Sequence, residues 1–372
     1  MSRFISEKYA SLKAYVPGEQ PRDMNYIKLN TNESPFPPAP GVIKALSEAE
    51  TEKLNLYPDP ECRQLKDKIA QVYGEKSGGK LSGENIFVAN GSDDILNFAF
   101  MAFGGRGTVT FPDITYGFYR VFADLHGLKY REIPLDADFS VRGDDYLSNS
   151  GCVVLANPNA PTGKALPLCD IEKIAAANPD YPVIVDEAYV DFGAESAAAL
   201  CGKYENLLAV FTFSKSRSMA GARLGFAIGH PEIIADLEKI KYSTNPYNVN
   251  RLTALCGIAA LCDEEYFEKT RREIIEVRES TRAELLRRGF TLTDSKANFI
   301  FAKHGSISGY DFYSKIKQKG VLVRHFSGER IKDYNRITVG SAEQMRAFLA
   351  AVDEIITEEK NNAQSGNRQK DA

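Results

Sequence analysis

The chain has 372 residues, 43% of them hydrophobic and 26% charged, enough to bury a large core and to divide into two or three domains. A formal net charge of −4 gives no electrostatic footprint for nucleic acid, and no run of about 18 apolar residues offers a membrane span. The first eight residues lack the apolar stretch of a signal peptide, so a cytoplasmic protein acting on small molecules is expected.

Taken from the N-terminus, residues 1–40 carry six of the seventeen prolines and little periodicity. Such a segment must pack on something else, and it is expected to lie on a small domain and the active site. Residues 41–265 read as a large domain. Strand-like apolar runs recur at 85–89, 107–111, 152–156, 182–186, 207–213 and 225–229, with helical patterns between them. Short runs that need both faces covered predict an α/β fold with a mostly parallel sheet flanked by helices. From Asn250 the character changes to long charged helices, notably 264–288, whose partial apolar stripe suits a helix bridging two domains. Alternating strands at 298–302, 321–324 and 336–339 follow, then a helix opened by a Ser341/Gln344 capping box. These predict a smaller α+β domain over 266–358, with 359–372 as a disordered tail.

Six cysteines, at 62, 152, 169, 201, 256 and 262, include no C-x-x-C pair, and four scattered histidines form no ligand-spaced cluster. Neither a disulfide framework nor a metal site is expected.

Chemistry gathers at the ends of the apolar runs. Lys215 closes the run 207–213, inside Phe-Ser-Lys-Ser-Arg-Ser-Met-Ala-Gly-Ala-Arg-Leu-Gly (213–225). Asp186-Glu187-Ala188-Tyr189 closes 182–185, and Asn-Pro-Asn-Ala-Pro-Thr-Gly (157–163) follows another run. The carboxyl edge of such a sheet is where open α/β folds bind ligands. Asn90-Gly91-Ser92-Asp93-Asp94 stands between a strand and an apolar helix, either as a simple helix start or with the N–H groups of Ser92 and Asp93 directed at an anion. By itself Asp186 is equally a helix N-cap, and Tyr116 one of 18 tyrosines that could simply fill the core.

In this order the segments resemble the fold-type-I, pyridoxal-phosphate-dependent aminotransferases. The resemblance implies a Schiff base between Lys215 and pyridoxal 5'-phosphate, with burial, Arg217 and Arg223 lowering the lysine pKa so that the neutral amine can act as a base. It implies that Asp186 holds the pyridine nitrogen protonated and that Tyr189 bonds the ring oxygen. Gly91, Ser92, Asp93, Thr212, Ser214 and Arg223 would hold the cofactor, Tyr116 would stack on its ring, and Tyr57 would reach the phosphate of a neighbouring subunit, which implies a homodimer. The residue before Pro-Thr-Gly is Ala160, where the family usually has an asparagine; Asn159 or Asn157 is expected to reach the ring oxygen instead.

Tyr-Val-Pro-Gly-Glu-Gln-Pro (15–21), Ile-Lys-Leu-Asn-Thr-Asn-Glu-Ser-Pro (27–35) and Asn-Pro-Tyr-Asn-Val-Asn (245–250) resemble histidinol-phosphate aminotransferases in particular. The implied reaction is ping-pong transfer of an amino group between histidinol phosphate and 2-oxoglutarate. Tyr15, Asn32, Tyr247, Arg324 and Arg336 would bind the substrates, although Arg324 could also be a surface ion pair. Two related reactions suit the same residues: aromatic amino-acid transamination, and decarboxylation of a substrate such as threonine phosphate. A non-catalytic domain of the same fold is disfavoured by the intact set Lys215, Asp186, Tyr189 and Arg223.

Overall fold

The computed structural model describes residues 5–48, 51–77 and 81–368. Thirteen strands are defined among them: β1 (Ile27–Lys28), β2 (Ile86–Ala89), β3 (Val109–Pro112), β4 (Tyr130–Ile133), β5 (Val153–Ala156), β6 (Val183–Asp186), β7 (Leu207–Thr212), β8 (Gly225–Gly229), β9 (Phe290–Leu292), β10 (Phe299–His304), β11 (Val321–Leu322), β12 (Arg324–His325) and β13 (Asn335–Thr338). The α-helices are α1 (Glu7–Ala10), α2 (Pro40–Ser47), α3 (Arg63–Ser77), α4 (Ser92–Phe103), α5 (Phe118–His126), α6 (Leu168–Ala177), α7 (Pro231–Thr244), α8 (Arg251–Cys262), α9 (Glu264–Arg287), α10 (Gly309–Gln318) and α11 (Ala342–Arg368).

Strands β2 to β8 form one sheet in the order β2-β8-β7-β6-β5-β3-β4, parallel except for β8, which runs against both β2 and β7. Each central strand is buried along its length because its alternate residues enter two different cores. Val153, Leu155, Val183 and Val185 face one layer of helices, while Val154, Ala156 and Ile184 face the other. All six expected strands of this sheet are present. The seventh, β4, escaped notice because it is a half-exposed edge strand, Tyr-Arg-Glu-Ile, without an apolar run.

The second sheet, β12-β13-β10-β9, is antiparallel and packs on α9, α10 and α11 around Ile274, Leu285, Ile300, Ile337, Phe348 and Val352. The N-terminal segment docks here: β1 pairs in parallel with β11, Leu29 N–H donates to Leu322 O at 2.9 Å, and Thr338 N–H donates to Leu29 O at 2.9 Å. The capping box closes as expected, with Ser341 N–H on Gln344 Oε1 (2.9 Å) and Gln344 N–H on Ser341 Oγ (3.2 Å). Helix α11 continues to Arg368, so the expected disordered tail is corrected: 359–368 is helical and only 369–372 lie outside the described residues. Composition pointed to disorder, but the start of that stretch is tied down. Lys319 pairs with Glu354 and Glu358 (2.8 Å each), and Lys315 pairs with Glu359. No helix among the described residues is long and apolar enough to cross a membrane.

Candidate active site

Strands β2, β5, β6 and β7 end at the same edge at which the antiparallel β8 begins, since Gly225 lies opposite both Ala89 and Thr212. The loops leaving that edge and the docked N-terminal segment enclose a cavity of about 390 Å³. Asp186, Tyr189, Lys215, Arg223, Arg324 and Arg336 all line it. A larger cavity of about 690 Å³ lies between α3 and α8, but it contains neither a buried carboxylate nor a buried amine. Convergent titratable groups, rather than size, mark the smaller one as the site.

Lys215 Nζ donates to the carbonyl of Thr31 at 3.2 Å. Burial, and then the nearby Arg336 guanidinium, push its pKa down to about 8, while Glu33 and Asp93 oppose the shift and Arg223 adds a smaller lowering effect. The expected contribution of Arg217 is corrected. Its buried guanidinium turns away to Glu264 (2.6 Å) and Ala260 O (2.7 Å) and lies over the Phe267 ring, tying the lysine loop to the α8–α9 junction.

Asp186 ends β6 with its carboxylate in the cavity, where Oδ2 accepts from Tyr119 Oη at 2.8 Å and Oδ1 from Ala188 N–H at 3.3 Å. Burial raises its pKa to about 6 against the opposing Tyr119 hydrogen bond, with the Asp93 charge adding to the rise. Glu187, one residue on, faces the opposite way and bonds Ser196 Oγ (2.5 Å) and Ala197 N–H (2.6 Å). Strand alternation thus selects the aspartate as the cavity acid.

Tyr189 lines the cavity, its ring edge-on to Phe299 with centroids 5.1 Å apart. Ala160 packs on the same pair, Tyr189 and Phe299. The expected substitution of Asn159 or Asn157 for the missing amide is corrected. Asn159 accepts from Thr115 Oγ1 (2.8 Å) and donates to Ile114 O (2.9 Å) and Thr162 Oγ1 (3.1 Å), and Asn157 is committed to the backbone of Leu166. Both are buried structural amides outside the cavity lining.

The residues expected to bind an anion converge on the cavity. Gly91, with φ of 92°, caps α4, and Ser92 and Asp93 line the cavity from the first turn of that helix. A Cβ at Gly91 would fall 2.7 Å from a terminal nitrogen of Arg223, so glycine lets the guanidinium lie against the turn. Ser214 Oγ bonds Thr212 Oγ1 (2.9 Å) on the same wall. The Asp93 carboxylate accepts from Tyr116 Oη (2.7 Å) and Arg223 (3.3 Å), which fixes Tyr116 across the cavity.

On the opposite wall Arg336 donates to Asn30 O (3.1 Å), and its buried Nε has no partner among the described residues. Arg324 spends two nitrogens on Pro17 O and Val16 O, at 3.0 Å each, so it fastens the N-terminal segment rather than forming a surface ion pair. Tyr15 stacks on Phe118 (4.2 Å) at the cavity rim. Tyr247 and Tyr57 do not enter this chain's cavity. They stack on each other with centroids 4.4 Å apart, on an exposed face where Tyr57 is 77% accessible.

The family described as "Aminotransferase class I and II" matches residues 24–352. The chain belongs to the class I and II aminotransferases. Among relatives within this family, the histidinol-phosphate aminotransferase of Brachyspira hyodysenteriae is 49% identical over 358 residues, covering 96% of this chain and 99% of that protein. That of Clostridium acetobutylicum is 48% identical over 357 residues, covering 96% and 100%. Among solved structures, histidinol-phosphate aminotransferase from Sinorhizobium meliloti in complex with pyridoxal-5'-phosphate aligns with a TM-score of 0.79 at 24% identity, over 90% of this chain and 92% of that one. The enzyme of that name from Clostridium acetobutylicum aligns with a TM-score of 0.81 at 22% identity, over 89% and 99%. These two structural likenesses bear on the fold, which is that of the aminotransferases.

Two polar residues of this aminotransferase site carried little signal in the sequence. Tyr119, fully buried and bonded to Asp186, looks like an ordinary apolar-face residue of α5; its edge-on contact with the Tyr116 ring, centroids 5.7 Å apart, appears only in the folded chain. Glu33 lines the cavity between Lys28 Nζ (2.6 Å) and Thr31 Oγ1 (2.5 Å), contacts local to the N-terminal segment, and it reaches the site only because that segment is docked.

Proposed function

We propose that this aminotransferase transfers the amino group between L-histidinol phosphate and 2-oxoglutarate in a ping-pong reaction, with pyridoxal 5'-phosphate bound in the cavity beside Lys215. The observation that carries the reading is the joining of two cationic ends in one cavity: Arg223 at the α4 turn on one side, Arg336 and Arg324 on the other, with Lys215 and Asp186 between them. Relatives of 43–49% identity that bear the name histidinol-phosphate aminotransferase support the choice of substrate.

The residues present fit the cofactor. The Gly91 turn, which a side chain would obstruct, the first N–H groups of α4, Ser214 and Arg223 suit a phosphate dianion. Asp186, whose burial makes its charge costly, suits a neighbouring ring N–H⁺ that would hold it ionised. When bound, the cofactor supplies an electron sink for charge released at the substrate carbon. Lys215 takes and returns the proton at that carbon, and a pKa of about 8 leaves a useful fraction of neutral amine near neutrality. Tyr116 and Tyr189, which both line the cavity, would flank the cofactor. Arg336, whose Nε has no partner among the described residues, would meet the phosphate of one substrate and a carboxylate of the other, because the guanidinium fork can donate to either.

Tyr57, stacked and exposed on this chain, would complete the phosphate site of the partner subunit in a homodimer, and Tyr247 beside it would face the same site. Steady-state kinetics with L-histidinol phosphate and 2-oxoglutarate test the reading. Efficient amino transfer, with parallel double-reciprocal lines, supports it. Carbon dioxide release, or a preference for phenylalanine over histidinol phosphate, would replace it with one of the two related reactions.

A further inference from the structure

Tyr189 Oη receives a donor from the protein and gives its own proton to none of the described residues. We infer that Asn32 is a positioning residue that turns the Tyr189 hydroxyl proton into the cavity, toward the cofactor's ring oxygen. The inference rests on the reading that pyridoxal phosphate binds there.

Asn32 is 1% exposed and sits at φ of 57°, a left-handed conformation that asparagine tolerates better than most residues. Four hydrogen bonds define it. Its N–H donates to Thr338 Oγ1 (3.0 Å), Thr338 Oγ1 donates to its Oδ1 (3.0 Å), its carbonyl accepts from Asn298 Nδ2 (3.1 Å), and its Nδ2 donates to Tyr189 Oη (2.9 Å).

The directions follow from the donors and acceptors at hand. Thr338 has one hydroxyl proton. Among the described residues Asn32 Oδ1 is the acceptor it meets, so the amide oxygen faces Thr338. The NH₂ end therefore faces Tyr189, and an amide nitrogen can only donate, so Tyr189 Oη accepts. A phenolic O–H lies close to the ring plane. With one in-plane side taken by Asn32, the proton is left to the other, where none of the described residues accepts it, and Tyr189 lines the cavity. Phe299 holds the ring edge-on, which prevents the tyrosine from swinging away. Ala160, packed against the same ring, offers no competing donor or acceptor.

The chain Thr338 to Asn32 to Tyr189 thus delivers a donor to the cavity wall, while the asparagines of the loop beside Ala160, Asn157 and Asn159, are turned elsewhere. Asn32 lines the cavity as the substrate-contact role expected from the sequence requires, and one N–H of its amide is committed to Tyr189, through which it acts here. A donor at the cofactor's ring oxygen favours the oxygen's deprotonated form and lowers the pH midpoint of the bound cofactor's visible absorbance change.

The test is the spectral pH titration of the reconstituted enzyme. Asn32→Asp keeps the shape but replaces the donor by an acceptor that draws the Tyr189 proton away from the cavity. The midpoint should rise by about one pH unit, the size expected for losing one hydrogen bond to a charged group. In a Tyr189→Phe background the same substitution should shift it far less. Thr338→Val, which frees the amide to flip, should give a smaller rise in the same direction and serves if Asn32→Asp folds poorly. An unchanged midpoint in folded, cofactor-loaded Asn32→Asp or Thr338→Val overturns the inference alone. So does an Asn32→Asp shift of equal size with and without the Tyr189 hydroxyl. Wild-type protein that takes up no pyridoxal phosphate overturns the underlying reading and this inference with it.

Discussion

The two walls of the cavity are built differently. The cofactor-side wall is the carboxyl edge of the large sheet, where Asp186, Lys215 and the Gly91 turn follow directly from strand ends fixed by register. The opposite wall consists of residues 15–33 docked on the antiparallel sheet that carries Arg324 and Arg336, held by a two-residue strand pair, by Arg324 on two carbonyls and by the Asn32–Thr338 contacts. A strand end places its side chain by local geometry alone. A docked segment places its side chains only through partners some 300 positions away in the chain, so roles on that wall depend on which hydrogen bonds the fold happens to close.

That contrast makes graded predictions. Lys215→Ala should remove the proton-transferring amine and lower the transamination rate on the order of 10⁴-fold, read by steady-state kinetics. Retained activity would break the claim for the sheet-edge wall. Lys215 should also be the most easily labelled lysine of the cofactor-free chain. An amine-reactive reagent followed by peptide mass spectrometry should show its reactivity falling as pH drops below about 8, because protonation there removes the nucleophilic lone pair. An ordinary lysine loses reactivity below about 10.4; the same midpoint at Lys215 would deny the effect of burial and Arg336.

On the docked wall, the two arginines should separate. Arg336→Ala should raise KM for both histidinol phosphate and 2-oxoglutarate by roughly 10- to 100-fold, the range for a hydrogen bond to a charged group. Arg324→Ala should act less on substrate binding, since its nitrogens already serve Val16 and Pro17. Loss of only one half-reaction in Arg336→Ala would contradict a shared anion site. Smallest at the site is Asn159→Ala. Cofactor affinity should be unchanged, while thermal denaturation shows a loss of about 1–3 kcal/mol from its buried hydrogen bonds. Weakened cofactor binding without loss of stability would return Asn159 to the site.

The same contrast governs how much the sequence disclosed. The large sheet, and the gathering of Lys215, Asp186, Tyr189 and Arg223 at its edge, were legible because each of these residues stands within a few positions of one end of an apolar run. Arg217 was misread since it stands only two residues from Lys215. Sequence proximity cannot show that the side chain points back to Glu264. Asn159 was misread for a related reason: an amide in a loop beside the cavity carries no sign of which way it faces, and three buried partners decided it. Tyr119 was passed over because burial on a helix face is the ordinary fate of a tyrosine, and its bond to Asp186 becomes visible only when β3, α5 and β6 are assembled.

Spectrophotometry of the two half-reactions on the reconstituted enzyme tests the central claim, that one cavity around Lys215 holds the cofactor and both substrates. L-histidinol phosphate alone should convert the visible absorbance of the bound cofactor in a single turnover, and 2-oxoglutarate added afterwards should restore it. Absorbance that histidinol phosphate leaves unchanged, or that 2-oxoglutarate cannot restore, would contradict the account.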